Sequence, residues 1–262
     1  MPRANRHVLP GHVWHITHRC HRQQFLLKFA RDRWMWRHWL FEARHRFGLC
    51  ALDFIVTSNH IHLLVQDCGH GEIAKSMQLI AGRTAQAYNQ RKRRRGAYWE
   101  DRYHATAVEA DEHLTRCITY IDMNMVRAGA VSHPREWEVS GYREIQNPPT
   151  RYRVIDYSAL MKLLNIFNFQ QFQLAHRNWI EEALKAEPSK RDERWSQSLA
   201  IGSQQFVAQF QADLGITATH RVIEGHGDSH TLREDAGPYT PLLKGKTIRL
   251  RTENMEFPDD SV

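Results

Sequence analysis

Asp53-Phe54-Ile55-Val56-Thr57-Ser58-Asn59-His60-Ile61-His62-Leu63-Leu64-Val65 reads as two apolar strands joined by a short polar turn. The second strand opens with two histidines one residue apart. Side chains in a strand alternate between faces, so His60 and His62 project together from one face. Ile61 and Leu63 then point to the other face, toward a core. Two imidazoles on one rigid surface suit a shared divalent metal. The pair alone is a weak signal. With 17 His in 262 residues, about one His-x-His arises by chance. Ordinary strand histidines at a solvated edge fit the same pattern.

The chain is long enough for one large domain or two small ones, and 42% of it is hydrophobic. It contains no run of about 18 apolar residues, so no membrane span is expected. Met1-Pro2-Arg3-Ala4-Asn5-Arg6 leads into no apolar segment, which predicts no secretory signal and a cytoplasmic protein. Cys20, Cys50, Cys68 and Cys117 are scattered without a Cys-x-x-Cys, against a zinc ribbon or redox pair. Buried reduced thiols are expected instead of disulfides. The net charge of +7 is unevenly placed. Residues 1–150 carry 22 Lys and Arg against 14 Asp and Glu, a net of +8, and residues 151–262 a net of −1. A basic part joined to a neutral one points to a polyanion bound by the first.

Around the hairpin the chain divides into further elements. Residues 8–18 carry the β-formers Val13, Trp14, Ile16 and Thr17 and predict a first strand. Histidines 12, 15, 18 and 21 are three apart, a spacing that no strand face keeps, and are set aside as ligands. Trp36, Trp39, Leu40, Ala43 and Phe47 recur at helical spacing over 32–47, with Gly48 as a stop. Strands follow at about 49–56 and 61–66. A second helix over 71–92 runs into Arg91-Lys92-Arg93-Arg94-Arg95, a block that fits a solvated loop or phosphate contacts. Tyr98 to Glu109 suits another strand. A third helix is expected over 111–128, with Asp111 as N-cap and Gly129 at the C-cap. It places Tyr120 and Asn124 one above the other. The order strand–helix–strand–strand–helix–strand predicts an α+β fold: a ferredoxin-like antiparallel sheet with helices on one face. The uncovered face would carry His60 and His62. Asn147-Pro148-Pro149-Thr150 divides a first domain, 1–148, from a mostly helical extension, 149–262. In the extension, helices are expected over 156–167 and 171–186 and after Ser203, closed by Gly215. Short strands such as Thr247–Leu250 are expected after 216.

The histidine strand, the tyrosine helix and the basic first domain together resemble the HUH single-tyrosine transposases. The longer REP-associated tyrosine transposases are the most similar group. Ser58 to Val65 resembles the family's histidine–hydrophobe–histidine strand. Gly96 to Tyr103 resembles the strand that follows its second helix, and Tyr120 to Gly129 its tyrosine helix. The likeness covers about residues 8–145, with a weaker one at Arg194-Trp195 through Gly215. Thr57-Ser58, Met125 and Cys20 depart from the family's Met-Pro, Pro and Gly without removing a functional side chain.

This resemblance implies a DNA-cleaving and strand-transferring transposase. Tyr120 would be the catalytic nucleophile, and His60, His62 and Asn124 would hold Mg2+ or Mn2+. Gln86, Glu109 and Asp122 are alternative ligands, and Tyr103 and Tyr88 rival nucleophiles. Tyrosine, with a pKa of about 10, is a weak nucleophile without help, and a divalent ion would polarise the scissile phosphate. Arg91, Lys92, Arg93, Arg94, Arg95 and Arg102 are candidate nucleic-acid contacts, and Tyr98, Trp99 and Tyr103 candidates for stacking unpaired bases. The implied partner is single-stranded DNA carrying a REP-like hairpin. A homodimer stays open. A non-catalytic DNA-binding regulator on the same fold is the alternative, followed by a hydrolase of small phosphoesters.

Overall fold

The expected strand–helix order is present in the computed structural model, which describes residues 9–186, 192–218 and 221–234. It comprises β1 (Val13–Arg19), α1 (Ala30–Phe47), β2 (Cys50–Val56), β3 (His60–Gln66), α2 (Glu72–Arg91) and β4 (His104–Val108). The first strand opens at Val13 because Pro10 and Gly11 form a turn, with Gly11 at a φ of 84°. β4 is shorter than the expected 98–109, and Trp99 makes only an isolated bridge to Cys20. β1 lies between β3 and β4, antiparallel to both, and β2 completes the hairpin with β3. Thr17 is opposite His62 on one side and His104 on the other. The fold is α+β, as the sequence predicts.

Both faces of this sheet are covered. Trp14, Ile16, Phe54, Ile61 and Leu63 are buried on the face of α1 and α2, where Trp36 meets Phe54 at 6.4 Å between ring centres. The opposite face, which carries His60 and His62, was expected to be open. It instead packs against α3 (Glu112–Asp122). The physical reason lies in its other side chains: Val13, Ile55 and Leu64 share that face and are buried, and apolar surface of this kind is stabilised by leaving water. α3 also ends early. Met123, at φ −75° and ψ 0°, separates it from α4 (Asn124–Arg127), where the sequence predicts one helix.

The extension belongs to the same sheet and core. The first domain closes on α5 (Gly141–Gln146), and the elements of the extension are α6 (Tyr157–Leu163), α7 (Phe169–Lys185), α8 (Arg194–Gln197), β5 (Ala200–Gly202), α9 (Gln204–Leu214), β6 (Arg221–His226) and β7 (Ser229–Glu234). β5 pairs in parallel with β4, and the sheet runs β2-β3-β1-β4-β5-β7-β6. Past the Pro148-Pro149 turn, the Asp156 N–H donates to the Ala51 carbonyl at 2.8 Å. A side chain at Gly141 would collide with the buried Asp53 carboxylate, so α5 approaches β2 only through glycine. Ser203 caps α9 as expected, accepting from the Phe206 N–H. Thr247–Leu250 lies outside the described residues. Cys20, Cys50 and Cys117 are buried free thiols, whereas Cys68 is exposed. Among the described residues no helix is long and apolar enough to cross a membrane.

α3 is anchored at its C-terminal end by a buried pair. Asp122 accepts from His176 of α7 at 2.7 Å and from the Tyr142 N–H at 3.1 Å, with both pair members enclosed. Breaking a buried pair on one side leaves the other group without its partner. His176→Leu is therefore expected to destabilise the protein by about 3–5 kcal/mol, read from denaturant unfolding. An unfolding midpoint unchanged from wild type would show that the pair does not hold α3 in place.

Candidate active site

The Thr57-Ser58-Asn59 turn fixes the first histidine. Thr57 Oγ1 accepts from the His60 N–H at 3.1 Å and donates to the His60 carbonyl at 2.8 Å. His60 Nδ1 lies 2.7 Å from Asn59 Oδ1 and 3.0 Å from Thr57 Oγ1. The Asn59 amide is oriented by donation from its Nδ2 to the Gln23 carbonyl at 3.2 Å. Its oxygen can only accept, which assigns a proton to His60 Nδ1 and leaves the lone pair of the neutral ring on Nε2.

His62 is held at both nitrogens. Nδ1 lies 2.8 Å from His15 Nε2, and Nε2 lies 3.0 Å from Asn124 Nδ2. His15 Nδ1 in turn lies 2.8 Å from the Trp195 carbonyl. His15 is 0% exposed and His62 2%. Burial pushes the His15 imidazole down to about 3, against the smaller opposing effect of the Trp195 carbonyl, so the ring is neutral. The His15 and His62 planes are within 6° of each other.

α3 brings Tyr120 over this pair, edge-on to His62 at 5.7 Å and to His15 at 6.1 Å. Trp195 stacks on its ring at 5.8 Å. The Arg127 guanidinium stands 4.2 Å from the ring centre and donates to the Tyr120 carbonyl at the helix break. Tyr120 is 7% exposed. It opens into a groove of about 430 Å³, whose walls include Thr119, Arg127, Trp179 and Trp195.

His60, His62, Asn124 and Tyr120 thus come together, whereas the basic candidates do not join them. α2, which ends in the basic run, lies on the opposite face of the sheet from α3. Arg91 pairs with Asp32, and Arg94 donates to Asn89 Oδ1 at 3.2 Å and to the Ala97 carbonyl at 2.9 Å. Lys92, Arg93, Arg95 and Arg102 are exposed. Tyr98 and Tyr103 are core residues, 2% and 4% exposed, so neither is a surface for bases as expected from sequence. Trp99 stacks on His18 at 4.1 Å and donates to the Ala81 carbonyl at 3.0 Å. Two of the alternative ligands have other partners: Asp122 binds His176, and Glu109 accepts from the Ser203 N–H and Oγ; the third, Gln86, is exposed on α2. Glu109, Asp111 and His113 bring their ligand atoms within 4.8 Å of one another. Asp111 there caps α3 through the His113 N–H at 2.7 Å.

Three residues of this site carry no role in the sequence reading: His15, Arg127 and Trp195. His15 belongs to the histidine run set aside for its spacing. That spacing puts His15 and His18 on opposite faces of β1, each with its own partners.

Residues 10–124 match the family described as transposase, IS200-like. Among solved structures it is similar to a REP-associated tyrosine transposase bound to a REP hairpin. The two are 20% identical over 61% of this chain and 96% of that one, with a TM-score of 0.48. It is also similar to a protein of Deinococcus radiodurans R1 described as a transposase. That match is 16% identical over 46% of this chain and 95% of that one, with a TM-score of 0.34. No curated protein matches the chain.

The stacking of Trp195 on Tyr120 has a direct consequence for access. Trp195→Ala is expected to speed nitration of Tyr120 by tetranitromethane, followed by peptide mass spectrometry. An unchanged rate would mean that Trp195 does not shield the phenol ring.

Proposed function

We propose that this chain cleaves and rejoins single-stranded DNA beside hairpins, with Tyr120 as nucleophile and a 5′-phosphotyrosine intermediate. The observation that carries the reading is the convergence on His62 of the Tyr120 ring, edge-on at 5.7 Å, and of the Asn124 amide, 3.0 Å from Nε2.

The donor chemistry fits a divalent ion. His60 and His62 each have Nδ1 committed to a hydrogen bond, which leaves Nε2 as the ligating atom. Asn124 now directs Nδ2 to His62, and a turned amide would offer its oxygen. Mg2+ or Mn2+ held by these residues would polarise the scissile phosphate and offset charge on its oxygens. Arg127 adds a fixed cation beside the phenol ring, where it favours both the phenolate and an approaching phosphate.

The covalent step balances without an external energy source. Tyr120 Oη forms a bond to phosphorus, the bond from phosphorus to the 3′ oxygen breaks, and the proton lost by the phenol is matched by one gained by the 3′ oxygen. The phosphoester linkage is retained on Tyr120, so a 3′-hydroxyl can reverse the step on another strand. Single-stranded DNA suits this site because the described fold has no protruding recognition helix of the kind that enters a major groove. The hairpin is the expectation carried by the resemblance of the sequence motifs. A non-catalytic DNA-binding regulator would keep the same surfaces and form no adduct.

The test uses 3′-labelled oligonucleotides with Mg2+ or Mn2+: a hairpin with a single-stranded flank, the same sequence as full duplex, and an unstructured strand. Wild type is expected to become covalently labelled by the flanked hairpin and to react least with the duplex. Tyr120→Phe is expected to lose the adduct entirely while binding DNA nearly as well. An adduct retained by Tyr120→Phe would move the nucleophile elsewhere, and equal cutting of the duplex would contradict the single-strand reading.

A further inference from the structure

We propose that His15 is a positioning residue, which with the Trp195 carbonyl fixes the tautomer of His62 that a metal ion requires. The inference rests on the metal-site reading above. It begins with the Trp195 carbonyl, an acceptor with no proton to give. His15 Nδ1, 2.8 Å away, must therefore carry the proton. His15 has no exposed surface and its other nitrogen, Nε2, meets His62, so a ring whose proton lies on Nδ1 presents its lone pair there. His62 Nδ1, 2.8 Å from that lone pair, must be the donor. The remaining nitrogen of His62, Nε2, is then unprotonated and faces Asn124.

A free imidazole holds its proton on either nitrogen, and a ring protonated at Nε2 offers no ligand there. The His15 contact removes that choice. It also fixes ring direction and raises the basicity of Nε2, the two effects that a hydrogen-bonded partner has on a metal-binding histidine. The Trp195–Ser198 segment is itself held against β4: Thr106 Oγ1 donates to the Ser198 carbonyl at 2.6 Å, and His104 Nε2 does so at 2.9 Å. A segment beyond the Pro148-Pro149 turn therefore completes the site of the first 124 residues. This gives the extension a role in the chemistry.

Two variants separate this role from packing. In His15→Gln the longer amide reaches His62, so its oxygen accepts from Nδ1–H. In His15→Asn the shorter amide reaches the Trp195 carbonyl and not His62. Both are polar and of similar size, and denaturant unfolding checks that they fold alike. Mn2+ affinity is measured by calorimetry on the full-length protein without DNA. His15→Gln is expected to stay near wild type, and His15→Asn to bind about 10–100-fold more weakly, the usual effect of losing such a partner. Equal affinities for the two variants would overturn the inference while leaving the metal site intact. Wild type that binds no Mn2+, with His62→Ala indistinguishable from it, would overturn the metal-site reading and this inference with it.

Discussion

A main-chain carbonyl can accept a hydrogen bond and can never donate one. At Trp195 that elementary fact sets the direction of a buried chain of contacts: Trp195 carbonyl, His15, His62, Asn124. Each link has one consistent proton position once the first is fixed. The chain crosses from the extension to β1, then to β3 and finally to α4, so four separated segments must be in place together. Such a network is stable only when every member is satisfied. The site is thus part of the core, not a patch laid on a finished sheet.

The sheet supplies His15, His60 and His62, and the helices supply Tyr120 and Asn124. β1 is hydrogen-bonded on both edges, which fixes His15 beside His62 of the adjoining β3. The break at Met123 turns Asn124 into a separate short helix, with Arg127 bound to the carbonyl that the break leaves near Tyr120. The Asp122–His176 pair holds the same end of α3 against α7. Tyr120, the Asn124 amide and the Arg127 guanidinium are therefore presented from a short interrupted segment whose position is set by partners in the extension.

Much of this architecture is legible in the sequence because its causes are local. The hairpin strands and the common face of His60 and His62 follow from alternation. Asp111 and Ser203 cap their helices as read, and Gly129 takes a φ of 66° just past α4. What is not legible depends on residues far apart in the chain. His15 gains its meaning only from His62 and Trp195, 47 and 180 positions away. The cover over the histidine face comes from the docking of α3, and β5, with three residues, is too short to show a period. Tyr98 and Tyr103 misdirect the reading because an aromatic side chain serves a core and a stacking surface equally well.

The central claim is that buried hydrogen bonds place one proton on Nδ1 of both His15 and His62. Long-range proton–nitrogen correlation spectra of imidazole-labelled protein read the tautomer of each ring directly. The account requires the Nδ1–H form for both, with His62 shifting to the other tautomer or to a mixture in His15→Asn. An Nε2–H form of His62 in the wild-type protein would contradict it.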